Sequence, residues 1–232
     1  MKIAICLHAS AVVRTSLPLH PSDRNLVRVA LRLGAETVVL ELVGTHGLAP
    51  IAINEAVAAG ATHPLRIVDE ALDTSDAHAT GLVMERILHQ VDPDLVLFSP
   101  AADPEGLADV PAAIAFRRGV PCLFDVVSLS VDPAQAQRVF ARAQRSDRMV
   151  QLEIPRGTLL GMQGPENDDD DPGQQAFASR HGDGIIRVVT LPDLGVDRVQ
   201  VRRRTDLRGV IEPAARSLIT TRSVASLVSL LR

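Results

Sequence analysis

Residues 53–102 alternate twice between a helical pattern and a short apolar strand, and this alternation constrains the fold more than any other part of the chain. Ala56, Val57, Ala59 and Ala61 precede Leu65-Arg66-Ile67-Val68. Leu82, Val83, Ile87 and Leu88 then fall at helical spacing, and Leu95-Val96-Leu97-Phe98 follows as an unbroken apolar run. Short apolar runs between helices are the mark of parallel strands covered on both faces. Ligands in such sheets sit beyond the carboxyl ends of the strands. The loops after Phe98 and after the first strand are therefore where function is expected.

The same alternation extends in both directions. Residues 2–7 read as a first buried strand and 9–22 as a loop. Ser22 or Asp23 is placed to cap a helix carrying Leu26, Val29, Ala30 and Leu33, which Gly34 ends. Residues 37–43 (TVVLELV) are a second strand, followed by a helix over 49–59 that Gly60 ends. Ser75 or Asp76 caps the next helix, 108–118 reads as another, and 121–127 as a further strand. Residues 139–144 and 149–154 alternate in polarity around Arg145-Ser146-Asp147, which is a hairpin signal. The chain thus opens with βα units and adds an antiparallel piece. Residues 164–184 break the composition with PENDDDDPGQQ and ASRHGDG. Asp168 to Asp171 are consecutive, unlike the alternating ligands of a calcium loop, so a solvated acidic loop is expected. Residues 185–190 form a short strand, 191–197 a turn, and 223–231 an amphipathic tail helix.

With 232 residues the chain can bury a sizeable core in one α/β domain with extensions. Aromatic residues are only 2%, with no Trp or Tyr, so the core is aliphatic and base-stacking platforms for nucleic acid are lacking. A net charge of −4 also disfavours non-specific nucleic-acid binding. Cys6 and Cys122 sit in apolar strand contexts and read as reduced core thiols of a cytoplasmic protein. MKIAICLH has no signal-peptide pattern, and no apolar run reaches the ~20 residues of a membrane span.

No G-x-G-x-x-G follows a strand, there is no P-loop, and the seven His residues show no paired zinc spacing. Nothing resembles a nucleophile elbow. His8 and His20 flank the loop after the first strand, at the expected ligand edge. Arg202, Arg203 and Arg204 read as ion-pairing or partner-contact residues in an acidic chain.

The order and spacing of these pieces resembles the beta subunit of electron transfer flavoprotein. His20-Pro21-Ser22-Asp23 through Leu33 is similar to that family's Asn-Pro-x-x-Glu helix. Ala56-Val57-Ala58-Ala59-Gly60-Ala61 resembles its Ala-Leu-Ala-Met-Gly-Ala, and Ser75-Asp76-Ala77 to Thr80 its Ser-Asp-Ala-x-Ala-Thr. Asp92-Pro93-Asp94-Leu95-Val96-Leu97 resembles the strand before its nucleotide loop. Asp193-Leu194-Gly195-Val196-Asp197, Pro213 and Arg216 resemble its ending.

The resemblance implies a parallel, Rossmann-like α/β domain of the adenine-nucleotide-binding type over residues 1–190. An arm over 191–232 would pack on a partner alpha subunit. It implies an electron carrier, not an enzyme in its own right. FAD would be held mainly by the alpha subunit, and electrons would pass from a flavin dehydrogenase to a quinone reductase or another acceptor. A structural AMP is implied at Cys6, Leu7, His20, Gly44, Thr45, Ala108, Asp109 and Val110. Arg142, Glu166 and Asn167 would lie on the partner and flavin side. Two segments depart from the family. Asp109-Val110-Pro111 stands where the family has Gln-Val/Thr-Gly, and Pro111 has no N–H to offer a phosphate. An acidic run replaces the basic partner-recognition segment, which changes the charge met by a docking dehydrogenase. AMP bound with altered geometry and an empty site both remain open. So do a stand-alone nucleotide-binding module and a ligand-free docking subunit.

Overall fold

The computed structural model describes residues 1–7, 19–44, 50–99, 109–135, 137–163, 185–202 and 204. The strands are β1 (Lys2–Cys6), β2 (Glu36–Val43), β3 (His63–Val68), β4 (Leu95–Phe98), β5 (Cys122–Val131), β6 (Val139–Arg145), β7 (Arg148–Ile154), β8 (Thr158–Met162) and β9 (Arg187–Val189). The helices are α1 (Pro21–Arg32), α2 (Ile51–Ala58), α3 (Ala77–Val91) and α4 (Val110–Arg118). All nine strands share one sheet, in the order β7-β6-β5-β8-β4-β1-β2-β3-β9. From β9 to β5 every neighbour is parallel, and β6 and β7 add the antiparallel pair. This is the expected α/β class.

Alternation along each strand divides the core into two layers. Ile3 and Ile5 of β1 join Leu26, Val27 and Ala30 of α1 and Ile53 and Ala56 of α2. Ala4 and Cys6 join Leu82, Val83, Ile87 and Leu88 of α3 and Ile114 of α4. The order reverses at β1: β2 and β3 lie on one side, β4 on the other. That is the switch point at which such sheets bind ligands.

Local chemistry sets the helix ends. His20 caps α1, with Pro21 at its first position. Asp76 Oδ1 accepts from Ala79 N–H at 3.0 Å and starts α3. Within α3, Gly81 faces α4, and a Cβ there would sit 3.7 Å from the Ala113 methyl carbon, an ordinary contact. Gly81→Ala is therefore expected to stabilise the domain by roughly 0.5–1 kcal/mol, since glycine in a helix interior loses more entropy than alanine. A denaturant midpoint that falls would contradict this.

β5, α4 and β8 differ from the sequence expectation, and α1 is capped by His20 in place of Ser22 or Asp23, which lie within the helix. β5 runs on to Val131, because a bulge between Leu123 and Val126, with Asp125 at φ 59, lets it leave β8 and pair with β6. α4 begins at Val110, two residues later than expected. β8, TLLGM, was not foreseen as a strand, yet it is wholly buried between β4 and β5. It follows the hairpin after Pro155 and Gly157, and five residues carry too little periodicity to stand out. The antiparallel hairpin itself is where the alternation placed it, with Arg145 paired to Arg148 across the turn.

Residues after β9 return to the core. Leu191, Leu194, Val196 and Val201 are buried against the α3 layer. The acidic loop, the tail helix over 223–231 and Arg203 lie outside the described residues.

Candidate functional site

The carboxyl edge of the sheet brings together the ends of β1, β4 and β2 and the starts of α1 and α4. Cys6 pairs in register with Phe98, and Leu7 N–H donates to Leu40 O at 2.9 Å. Cys6 is buried in the α3 layer. Burial, and secondarily the charge of Asp23, holds its thiol well above the ordinary cysteine range. It is thus a core thiol, and only its backbone is suited to a ligand. Cys122 is likewise pushed up, to about 11, by burial. Leu7 is also core.

His20 is exposed, and its Nδ1 accepts from Ser22 N–H at 3.3 Å. The ring is therefore engaged as the helix cap, and that bond requires an unprotonated Nδ1. At the start of α4, Asp109 is exposed and makes no side-chain cap bond, while Val110 and Pro111 are buried. The proline removes one of the donors that the first turn of a helix offers an anion. His8, Thr45 and Ala108 lie outside the described residues.

Gly44 ends β2. A Cβ on Gly44 would collide with the carboxylate of Asp73, and Asp73 N would be 3.2 Å from it. The space against this glycine is taken by the chain's own Asp73, from the 3₁₀ turn Glu70–Thr74 that follows β3. An adenine nucleotide does not fit these described residues: a carboxylate stands over Gly44, a second lies at the start of α4, and Pro111 withholds an N–H. Asp73 was not foreseen as a site residue. Its position just past the carboxyl end of β3 was the available signal.

Arg142 lies on β6, opposite Ser128 of β5 and Gln151 of β7. It is exposed and has no hydrogen-bond or ion-pair partner among the described residues. Its guanidinium is a planar donor of the kind that suits an anionic group. Apolar side chains are exposed nearby in the sequence of this wing: Phe124 and Val127 of β5, and Met149, Val150 and Leu152 of β7. Phe116 of α4 is 88% exposed. Glu166 and Asn167 lie outside the described residues.

A separate cavity of about 340 Å³ opens at the amino ends of the strands, lined by Lys2, Glu36, His63, Gln90 and Arg187. His63 Nε2 lies 3.0 Å from Glu36 Oε1, and Lys2 Nζ donates to Val91 O at 3.2 Å. Glu36 and Lys2 are thus engaged by groups of the cavity's own wall. No group of three or more His, Cys, Asp or Glu that could hold a metal occurs among the described residues. No described helix is long and apolar enough to cross a membrane.

A model of the electron transfer flavoprotein domain matches residues 11–156. The electron transfer flavoprotein subunit beta of Thermoanaerobacterium thermosaccharolyticum is 22% identical over 193 residues, covering 81% of this chain and 72% of that protein. The residues matched by the family model take in α1 to α4, β2 to β4 and the hairpin that carries Arg142. By sheet architecture and by the extent of this match, the chain belongs to the electron transfer flavoprotein family, as a divergent member.

Proposed function

We propose that this chain is the beta-type subunit of an electron transfer flavoprotein heterodimer. The observation that carries the reading is the match to a beta subunit over most of both chains. The exposed apolar wing of β5 to β7, with Arg142 on it, supports the assembly: it is a surface to dock a partner, with a fixed positive charge to set against the cofactor. FAD, held mainly by an alpha-type partner, would supply the one- and two-electron chemistry. This chain's residues supply orientation, water exclusion and charge, and no acid or base is required of them. Electrons would enter from a dehydrogenase and leave to a quinone reductase or another acceptor, in the cytoplasm.

The acidic segment after β8 replaces a basic flank and would favour a donor with a basic docking face. Rates of reduction by such a donor should fall as salt is raised, because steering between opposite charges is screened. A salt-independent rate would count against this.

Co-expression with an alpha-type chain tests the assignment. A yellow complex with stoichiometric flavin is expected, and a colourless complex would contradict it. The second reading, a docking subunit free of ligands, is favoured by Asp73 and Pro111 at the nucleotide edge. That reading has lost both flavin and AMP, so a colourless, nucleotide-free complex with an alpha-type chain would support it over the first.

A further inference from the structure

The turn that carries Asp73 is held from several sides. Asp69 N–H donates to Val43 O at 3.2 Å, joining the turn to the end of β2. Asp69 Oδ1 accepts from Ala71 N–H at 3.0 Å, Leu72 is buried, and Ser75 Oγ donates to Leu72 O at 2.9 Å. Arg198 grips the same carboxylate with both arms of its guanidinium, Nε 3.0 Å from Asp69 Oδ1 and Nη2 3.4 Å from Oδ2. Asp69 is 5% exposed, so the planar fork meets a carboxylate largely withdrawn from water. Arg198 is fixed in turn by the segment whose Leu191, Leu194, Val196 and Val201 are buried in the α3 layer. A few residues on, Arg204 N–H donates to Asp76 Oδ2 at 2.8 Å, so the same segment also clasps the cap of α3.

We propose that Asp73, latched through Asp69 to Arg198, occupies the place over Gly44 that the resemblance assigns to an adenine nucleotide. The domain then closes its carboxyl edge with its own residues. This rests on the beta-subunit reading for where the nucleotide would lie. Two further features act in the same direction: Asp109 opposes an anion at the start of α4, and Pro111 withholds a donor. The segment after β9 thereby takes over a structural task otherwise given to a bound ligand.

The test uses the full chain in its flavin complex. Small molecules released on denaturation are weighed by mass spectrometry. Hydrogen exchange is followed in the wild type with and without millimolar AMP, and in Arg198→Ala and Arg198→Gln. The expected result is no AMP in the released pool and no protection by added AMP. In both variants, exchange should be about ten-fold or more faster in residues 69–76 and in the peptide carrying Gly44, with the β6–β7 hairpin unchanged. Stoichiometric AMP in the wild-type complex would overturn the proposal. So would variants whose Gly44 peptide keeps its protection. Flavin in the same released pool reports on the heterodimer reading alone, so the two can fail separately.

Discussion

Arg66→Ala is expected to destabilise the domain by about 3 kcal/mol, because it strands a carboxylate inside the sheet. Glu41 of β2 and Arg66 of β3 face each other in register, with Arg66 Nε 2.8 Å from Glu41 Oε2. Their side chains are only 11% and 13% exposed. Burial raises the Glu41 carboxyl above its ordinary range, and the Arg66 charge pulls it back only in part. Removing Arg66 leaves the desolvation without its offset. In a domain of this size the loss corresponds to roughly 6–12 °C in Tm.

The sign of the pH dependence follows from the raised value. A carboxyl that binds its proton more tightly folded than unfolded favours the folded state at low pH. That advantage is lost as pH rises through its folded pKa. The Arg66→Ala deficit should therefore be largest near neutral pH and shrink on acidification, as Glu41 is neutralised. Replacing both residues by valine removes the charge and its partner together, and is expected to recover most of the loss. Denaturant melts of the single and double variants at two pH values check this. A double variant no better than Arg66→Ala would contradict it.

Arg142→Ala is expected to weaken flavin retention in the heterodimer by roughly 10–100-fold, the scale of one charge-assisted hydrogen bond. The domain's own stability should barely change, since Arg142 is exposed on β6 and has no partner among the described residues. Arg142→Lys should recover little, because an ammonium cannot reproduce the planar fork. Flavin dissociation followed by fluorescence, beside the Tm of the isolated chain, separates the two effects. Equal flavin affinity in Arg142→Ala and wild type would remove Arg142 from the cofactor side.

The parts of the fold legible in the sequence are those whose signal is local. β1, β2, β4, α1 and α3 carry either an unbroken apolar run or a full helical stripe, and their ends have caps or glycines within a residue or two of where they were expected. β8 was missed because its five residues, interrupted by Gly161, carry neither an unbroken apolar run nor a clear alternation. The site was legible as an edge but not as a set of contacts. Cys6, Gly44 and Asp109 lie at the expected ends of strands and helices. What meets them depends on Asp73 and on a latch to Arg198, whose partner Asp69 is 129 positions away. His20 illustrates the same limit. Its place before α1 was evident, but its use as a cap follows from the extended backbone at that position, with φ −60 and ψ 140.

The central claim is that this chain works as the beta-type half of a flavin heterodimer without a nucleotide of its own. Native mass spectrometry of the complex purified with its alpha-type partner tests it most directly. The account predicts a mass equal to the two chains plus FAD, with no added AMP. A complex whose mass includes AMP beside the flavin, or one that holds no flavin, would contradict it.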